Sequence, residues 1–207
     1  MLKKISLIIV LILCLLSGWY LLKAFYIHGK AQVAQLLLER SWEKTMLNQN
    51  KSPNSSPLPD FVSHNKPWSW SDSWPVAKIS FPRQSKSFIV LNHGTGRSLA
   101  FAPSHFAGSA KLGEQGVSVI GGHKDTHFKF LETIKKQDPI FLELSDGELY
   151  LYRVRDIQIA NIARSELRLD SDISLLAFVA CYPFHTGEND LLRYIVVAEP
   201  LDTSFPI

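Results

Sequence analysis

Short runs of β-branched and aromatic residues, separated by turn-forming residues, make up the sequence after Trp68. Runs of about 4–8 residues have the length of strands rather than helices. A hairpin turn is predicted at Ser145-Asp146-Gly147, and helical turns at Ser104–Ala110 and Phe128–Lys136. The predicted strands are Val76–Phe81, Phe88–Leu91, Val117–Gly121, Ile140–Leu144, Leu149–Val154, Ile157–Ile162, Leu176–Cys181 and Tyr194–Ala198. Many short strands separated by turns predict an all-β barrel or sandwich with short helices.

The N-terminal segment has a different composition, because Ile5–Leu22 is a run of 18 residues without a charge. A membrane-spanning helix needs about 20 apolar residues, with about 17 as the lower limit. The apolar part of a cleaved signal peptide has only about 7–15 residues and ends at small residues. This run ends instead in Trp19 and Tyr20, which is typical of a membrane interface. We therefore predict that residues 1–30 form a cytoplasmic tip and a transmembrane anchor.

Two further regions lie between this anchor and the β domain. Residues 31–47 place apolar residues at i, i+3, i+4 and i+7, which predicts an amphipathic helix that packs on the domain or lies on the bilayer. Residues 48–67 are rich in Pro, Ser and Asn and are predicted to be a semi-rigid linker. The β domain then covers residues 68–207.

The charge distribution argues against a nucleic-acid partner. The chain has 22 Lys+Arg and 19 Asp+Glu, a formal net charge of +3. Residues 1–30 contain four lysines and no acidic residue, so the rest of the chain has a net charge of −1. The basic excess therefore belongs to the predicted anchor, where positive flanks set topology.

Cys181 is the first candidate for a reactive side chain. The other cysteine, Cys14, lies inside the apolar run, so Cys181 has no partner for an intramolecular disulfide. An exported domain with an unpaired cysteine often uses the thiol. Cys181 follows the apolar strand Leu175–Ala180 and precedes Tyr182-Pro183, which predicts that its sulfur lies at the rim of the barrel. The alternative is a buried structural cysteine.

His123 and Arg193 are the candidate partners of this thiol, since a thiolate needs a neighbouring base or cation. His123 follows Gly121-Gly122 at the end of a strand, and Arg193 opens an otherwise apolar last strand. His123 and His127 also have the spacing of zinc ligands on a helix. The glycines argue against a helix there, and no Glu stands between the histidines. We predict neither a metal nor a cofactor.

These three positions resemble the active site of the sortases, cysteine transpeptidases that join proteins to cell-surface acceptors. The similarity runs over about residues 74–200. Gly122–Phe128 is similar to the histidine motif of the family, Ala177–Cys181 to its Thr-Leu-x-Thr-Cys strand, and Arg193 to its arginine. Both threonines of that strand are alanine here, at Ala177 and Ala180.

The subclass that the chain resembles most is the Gram-negative, marine-type sortase class. The similar segments are the Asp125–Phe128 extension, the Cys181–Phe184 continuation and the helix of residues 31–47 with the Trp-rich segment after it. No acidic cluster suggests the calcium site of some sortases. The resemblance does not assign roles to His105, Asp125 and His127.

The resemblance implies an eight-stranded sortase-like β-barrel with short helices, preceded by the transmembrane helix and the amphipathic helix. His123, Cys181 and Arg193 would be its catalytic residues. The expected substrate is an exported client protein with a C-terminal sorting signal of the Leu-Pro-x-Thr-Gly kind, which is transferred to an amine acceptor of unknown identity.

The expected location is the inner (cytoplasmic) membrane of a bacterium, with a single pass and the catalytic domain facing the periplasm or the outside. Three alternatives remain: an enzyme like the papain-type peptidases, one like the L,D-transpeptidases, and a non-catalytic barrel that binds a surface partner.

Overall fold

The computed structural model describes residues 2–51, 65–164, 168–185 and 191–201. The chain divides into two compact units, Met1–Leu37 and Leu38–Ile207. The first unit is helical, and the second contains every strand of the described residues.

A single helix, α1 (Leu2–Lys51), replaces the two helices that the sequence predicted. The sequence has no proline between residues 1 and 47, and a glycine such as Gly29 costs only about 1 kcal/mol in a helix. Nothing therefore ends the helix between the predicted anchor and the amphipathic segment. The helix also includes the first residues of the predicted linker, while residues 52–64 lie outside the described residues.

The amphipathic pattern of the last turns of α1 corresponds to a buried face in the second unit. Leu38 is fully buried and packs against Leu91 and Ala102. Ser41 and Trp42 are buried as well. This part of α1 is therefore packed in the second unit through Leu38, Ser41 and Trp42.

The predicted transmembrane helix is not supported. Among the helices of the described residues, none is both long enough and apolar enough to cross a bilayer. The run Ile5–Leu22 lies at the lower limit of length for a span, and it is the first part of a much longer helix. Large apolar side chains between Val10 and Leu22 are exposed, among them Leu15 at 70%.

Eight strands form one closed barrel in the order β1-β2-β3-β4-β7-β8-β6-β5. The pairs β2–β3 and β4–β7 are parallel, and all others are antiparallel. The strands are β1 (Pro75–Phe81), β2 (Lys86–Leu91), β3 (Ser104–His105), β4 (Gly116–Gly121), β5 (Pro139–Leu144), β6 (Leu149–Asn161), β7 (Ser174–Cys181) and β8 (Leu192–Pro200). Short helices occur at Pro82–Gln84 (3-10), Gly96–Leu99 (α2) and Lys129–Thr133 (3-10).

The predicted all-β barrel is confirmed, but the assignment of one strand pair and that of one helical turn were wrong. The runs Leu149–Val154 and Ile157–Ile162 belong to one strand, β6, with a register shift between Val154 and Asp156. The charged residues at this bulge suggest a turn in the sequence, yet Asp156 pairs with Lys136 at 2.7 Å on the exposed surface. A continuous strand with a bulge has the same polar interruption as two strands with a turn.

The second error concerns Ser104–Ala110, which begins with strand β3 rather than a helical turn. Ser104 is the register partner of both Leu91 in β2 and Gly121 in β4. A strand of two residues is too short to show any alternation in sequence. The predicted hairpin turn at Ser145-Asp146-Gly147 is confirmed, since the Gly147 N–H donates to the Leu144 carbonyl at 3.0 Å.

The core of the barrel is rich in aromatic rings. Phe178 contacts Phe81 edge to face, with ring centroids 5.2 Å apart, and Phe128 at 6.0 Å. All three side chains are fully buried. Phe128 follows β4 and Phe178 belongs to β7, so this packing fixes the segment after β4 against β7.

Candidate active site

His123, Cys181 and Arg193 lie at the ends of three neighbouring strands. β7 lies between β4 and β8 in the barrel. Cys181, the last residue of β7, is the direct cross-strand partner of Arg193 in β8. On the other side, Gly121 of β4 is in register with Val179. His123 follows two residues after Gly121 and lines the same cleft as Cys181.

The three residues line one cleft of about 680 Å³. Cys181 is a free, exposed cysteine, so the alternative of a buried structural cysteine is wrong. His123 is exposed and Arg193 half-buried. The cleft is otherwise mostly apolar, and its lining includes Leu99, Phe106, Gln158, Ile159, Ala180 and Ile195.

Hydrogen bonds join the segments that carry the histidine and the cysteine. The Gly122 N–H donates to the Val179 carbonyl at 3.1 Å. Lys124 Nζ donates to the Pro183 carbonyl at 2.9 Å. These bonds lie on both sides of the His123–Cys181 pair in sequence and hold the two loops together.

The arginine has its own contact on β8. Arg193 Nη1 donates to the Leu192 carbonyl at 3.0 Å, and the same carbonyl accepts the Tyr182 N–H at 3.1 Å. Arg193 is thus held beside the backbone that follows Cys181. A guanidinium has five N–H donors in a planar fork, a geometry that suits an oxyanion.

Gly122 is required by the packing of Phe128. A Cβ at position 122 would lie 2.7–2.9 Å from three atoms of the Phe128 ring. The Phe128 N–H in turn donates to the His123 carbonyl at 3.0 Å. The lack of a side chain at Gly122 therefore permits the turn that holds His123.

We expect Gly122→Ala to lower both stability and activity. The fully buried Phe128 ring must move, which costs about 1–3 kcal/mol as overpacking of a core. The displaced turn shifts His123, and a shift of about 1 Å in an active site can cost about 10²-fold in rate. Urea unfolding and an assay of peptide transfer measure the two effects.

Gly121→Ala is the matched control, because a Cβ there meets only Leu99 Cδ2 at 3.8 Å and the Ser104 carbonyl at 4.0 Å. Those are ordinary van der Waals distances. Equal losses in the two variants would contradict the assigned role of the Gly122–Phe128 contact.

His127 is not among the residues that line the cleft, and it contacts the segment after α2. Its Nε2 donates to the Phe101 carbonyl at 3.1 Å, and its Nδ1 lies 3.3 Å from the Thr126 hydroxyl. Burial lowers the pKa of His127 from its ordinary value of 6.5, the Phe101 carbonyl raises it, and charge on His123 lowers it. The neutral ring with a proton on Nε2 satisfies both contacts.

The lowered pKa of His127 predicts an acid-sensitive stability. The unfolded chain takes up this proton near its ordinary pKa of about 6.5, whereas the folded chain does so only at lower pH. Below about pH 6.5 the unfolded state therefore binds more protons, and the free energy of unfolding falls as pH falls. We expect His127→Gln to weaken this dependence in urea titrations between pH 7.5 and 5.

His93→Gln is the control for that measurement, because His93 is an exposed histidine that contacts the Trp74 ring edge to face. If His93→Gln weakens the pH dependence as much as His127→Gln does, the effect does not come from the burial of His127.

Two other polar residues near the motif lie outside the cleft lining. His105 Nε2 donates to the Ala110 carbonyl at 2.8 Å and contacts the Ser109 hydroxyl at 3.2 Å, so it orders the loop after β3. Asp125 is exposed. Within the residues that the structure describes, no three His, Cys, Asp or Glu side chains are grouped as metal ligands.

Sequence reasoning missed the residues that form the cleft walls. Leu99, Phe106 and Gln158 line it together with the predicted residues. They come from α2, the loop after β3 and the distant strand β6, and none carries a motif. They could have been predicted only from the order of the strands in the barrel. That order places β3 on one side of β4, β7 and β8, and β6 on the other.

A thiol, an imidazole and a guanidinium at one end of a barrel, above an apolar cleft, are the groups of a cysteine-dependent acyl-transfer enzyme. Comparisons with known proteins agree. Residues 79–201, more than half of the chain, match the family model described as the sortase domain. The chain therefore belongs to the sortase family, whose known members are transpeptidases.

Individual relatives agree with this assignment. Sortase D of Bacillus subtilis is 32% identical over 118 residues, which are 57% of this chain and 60% of that protein. Sortase A from Corynebacterium diphtheriae has a similar structure, with a TM-score of 0.58 at 20% identity over 86% of this chain and 96% of that one. For the sortase D5 transpeptidase of Clostridium perfringens the TM-score is 0.61, at 18% identity over 82% and 99% of the two chains. The two structural likenesses show the eight-stranded barrel fold.

Proposed function

We propose that the protein is a cysteine transpeptidase that cleaves a Leu-Pro-x-Thr-Gly-like sorting signal near the C-terminus of an exported client protein and transfers the client to an amine. The observation that carries the proposal is the arrangement at the barrel end, where Cys181 is the cross-strand partner of Arg193 and lines one cleft with His123. Cys181 is exposed in a cleft that is large enough for a peptide segment.

Cys181 is the proposed nucleophile. An ordinary thiol is mostly protonated at neutral pH, and an adjacent imidazolium or guanidinium favours the thiolate. The Cys181 Sγ attacks the carbonyl carbon of the scissile peptide bond. The C–N bond then breaks, and the acyl group remains on sulfur as a thioester.

His123 and Arg193 serve the two halves of the exchange. His123 gives a proton to the leaving amine and then takes one from the incoming amine, which attacks the thioester and releases the thiol. Arg193 stabilises the negative oxygen of each tetrahedral intermediate. With alanine at 177 and 180, neither position offers a hydroxyl for the oxyanion contacts, which leaves them to Arg193 and backbone N–H groups.

The test uses the purified chain with a thiol alkylator and with a labelled Leu-Pro-x-Thr-Gly peptide plus an amine. We expect alkylation of Cys181, and a peptide–amine product by mass spectrometry. An unreactive Cys181 would support the non-catalytic binding barrel instead. A reactive thiol that never accepts the sorting peptide would support another cysteine enzyme, such as one like the L,D-transpeptidases.

The subclass and the location are part of this proposal. The Asp125–Phe128 and Cys181–Phe184 segments support the marine-type class. The exposed apolar side chains between Val10 and Leu22 support attachment to the cytoplasmic membrane, with the barrel on the outer side. A membrane-impermeant maleimide should then label Cys181 in intact cells, and labelling only after lysis would contradict this location.

A further inference from the structure

A second, smaller cleft lies between the segment before β1 and helix α2. Its volume is about 290 Å³, just below the range of about 300–1,000 Å³ for pockets that bind small molecules. None of its lining residues lines the cleft of Cys181. The proposed transpeptidase reaction makes no use of it.

Two tryptophans form the aromatic part of this cleft. The rings of Trp68 and Trp70 have centroids 6.2 Å apart and planes inclined at 37°. Trp68 also contacts Phe101 edge to face at 4.8 Å, which holds it against the barrel. Trp70 is 77% exposed. Indole faces are the best aromatic partners for an ammonium group, and pairs of them bind quaternary ammonium ligands.

Two charges of opposite sign line the same cleft. Asp72 precedes β1, and Arg97 belongs to α2. Both are exposed, and within the described part of the chain neither side chain has a hydrogen bond or ion pair with another residue. A carboxylate next to aromatic rings complements a cation, whereas a guanidinium binds phosphate through two parallel hydrogen bonds.

Two hydroxyl groups of the cleft are already used by the protein. Ser71 Oγ donates to the Ser73 carbonyl at 2.6 Å. Ser98 Oγ donates to the His93 carbonyl. The charged groups that line the cleft are Asp72 and Arg97.

We propose that this cleft binds a small zwitterion that carries an ammonium group and a phosphate, as phosphocholine does. The ammonium group lies against Trp68, Trp70 and the Asp72 carboxylate, and the phosphate is bound by Arg97. Such a ligand neutralises both exposed charges, whereas a simple cation or anion neutralises only one.

The test is isothermal titration calorimetry of the full chain in a nonionic polyoxyethylene detergent. We expect phosphocholine to bind at least about tenfold more tightly than choline or inorganic phosphate alone, because only the joined ligand uses both charges. Trp70→Ala should weaken phosphocholine binding about fivefold or more, and Trp70→Phe by less, since a phenyl ring keeps part of the cation–π contact.

Charge variants separate the two ends of the ligand. Asp72→Asn should weaken binding of choline but not of inorganic phosphate, and Arg97→Gln should do the reverse. Asp172→Asn and Arg164→Gln are matched controls, since both residues are exposed and lie outside this cleft. Circular dichroism checks that each variant is folded.

Dihexanoylphosphatidylcholine below its micelle concentration distinguishes the source of the ligand. If it binds as phosphocholine does, the site accepts a lipid headgroup; if only phosphocholine binds, the ligand is a free zwitterion.

The proposal is overturned if the wild type does not bind phosphocholine, if Trp70→Ala leaves that binding unchanged, or if the charge variants behave like their controls. Binding of an N-acetylglucosamine dimer in place of phosphocholine would also overturn it. None of these results depends on Cys181, so they are separate from the test of transpeptidase activity.

Discussion

Replacement of Cys181 by alanine is expected to reduce peptide transfer to the background rate and to leave the barrel folded. The proposed thioester intermediate can form only on the sulfur of this residue. The side chain is exposed at the end of β7, so its removal leaves no cavity in the core. The measurement is transfer of a labelled Leu-Pro-x-Thr-Gly peptide to an amine, together with thermal unfolding of both proteins.

Cys14→Ala is the matched control, because Cys14 is the other cysteine of the chain and lies in α1. We expect it to transfer peptide as the wild type does. An acyl adduct that survives in Cys181→Ala, detected as added mass on the protein, would disprove the role of Cys181. Transfer lost together with a lowered unfolding temperature would show that Cys181 has a structural role instead.

The barrel could be predicted from sequence because most of its strands alternate or run as short apolar segments between clear turns. β1 is the clearest case, since alternate residues from Pro75 to Phe81 are buried. Strand β3 could not be predicted from the sequence. Two residues are too few to show an alternation of buried and exposed side chains, and the pairing of β3 with β2 and β4 is long-range. The bulge in β6 was taken for a turn because both features interrupt an apolar pattern with polar residues.

The residues of the site could be predicted from the sequence because each of them lies at or near the end of a predicted strand. A cysteine, a histidine after two glycines and an arginine in an apolar strand are each unusual, and all three line the same cleft. Their proximity depends on the parallel pairing of β4 with β7, which joins strands more than 50 residues apart in sequence. The packing of Phe128 on Gly122 could not be predicted either, because the sequence does not show which residue a buried aromatic side chain contacts.

Helix α1 shows the limit of counting apolar residues. The uncharged run met the minimum length for a span, yet no helix of the described residues is long and apolar enough to cross a membrane. The structure extends the same helix to Lys51, because no proline or strong cap interrupts the sequence.

Arg193→Gln is expected to lower kcat by about 10²–10³-fold, the usual cost of losing one oxyanion donor. Glutamine keeps a hydrogen-bond donor and much of the volume but removes the charge that the intermediate needs. Because the negative oxygen exists only in the tetrahedral intermediates and the transition states that lead to them, KM for the peptide should change much less than kcat. Steady-state kinetics with the labelled peptide separate the two parameters.

Arg193→Lys refines the same test. Lysine restores a positive charge but not the planar fork of donors, so we expect a kcat between those of Arg193→Gln and the wild type. Arg164→Gln, at an exposed arginine outside the cleft, should leave both parameters unchanged. If Arg193→Gln raised KM and left kcat intact, Arg193 would bind the peptide in its ground state, and the oxyanion would have to be stabilised by backbone N–H groups alone. A loss of kcat with an unchanged KM would instead support the role of Arg193 in stabilising the oxyanion. Its position as the cross-strand partner of Cys181 would then bring the positive charge to the reacting carbonyl.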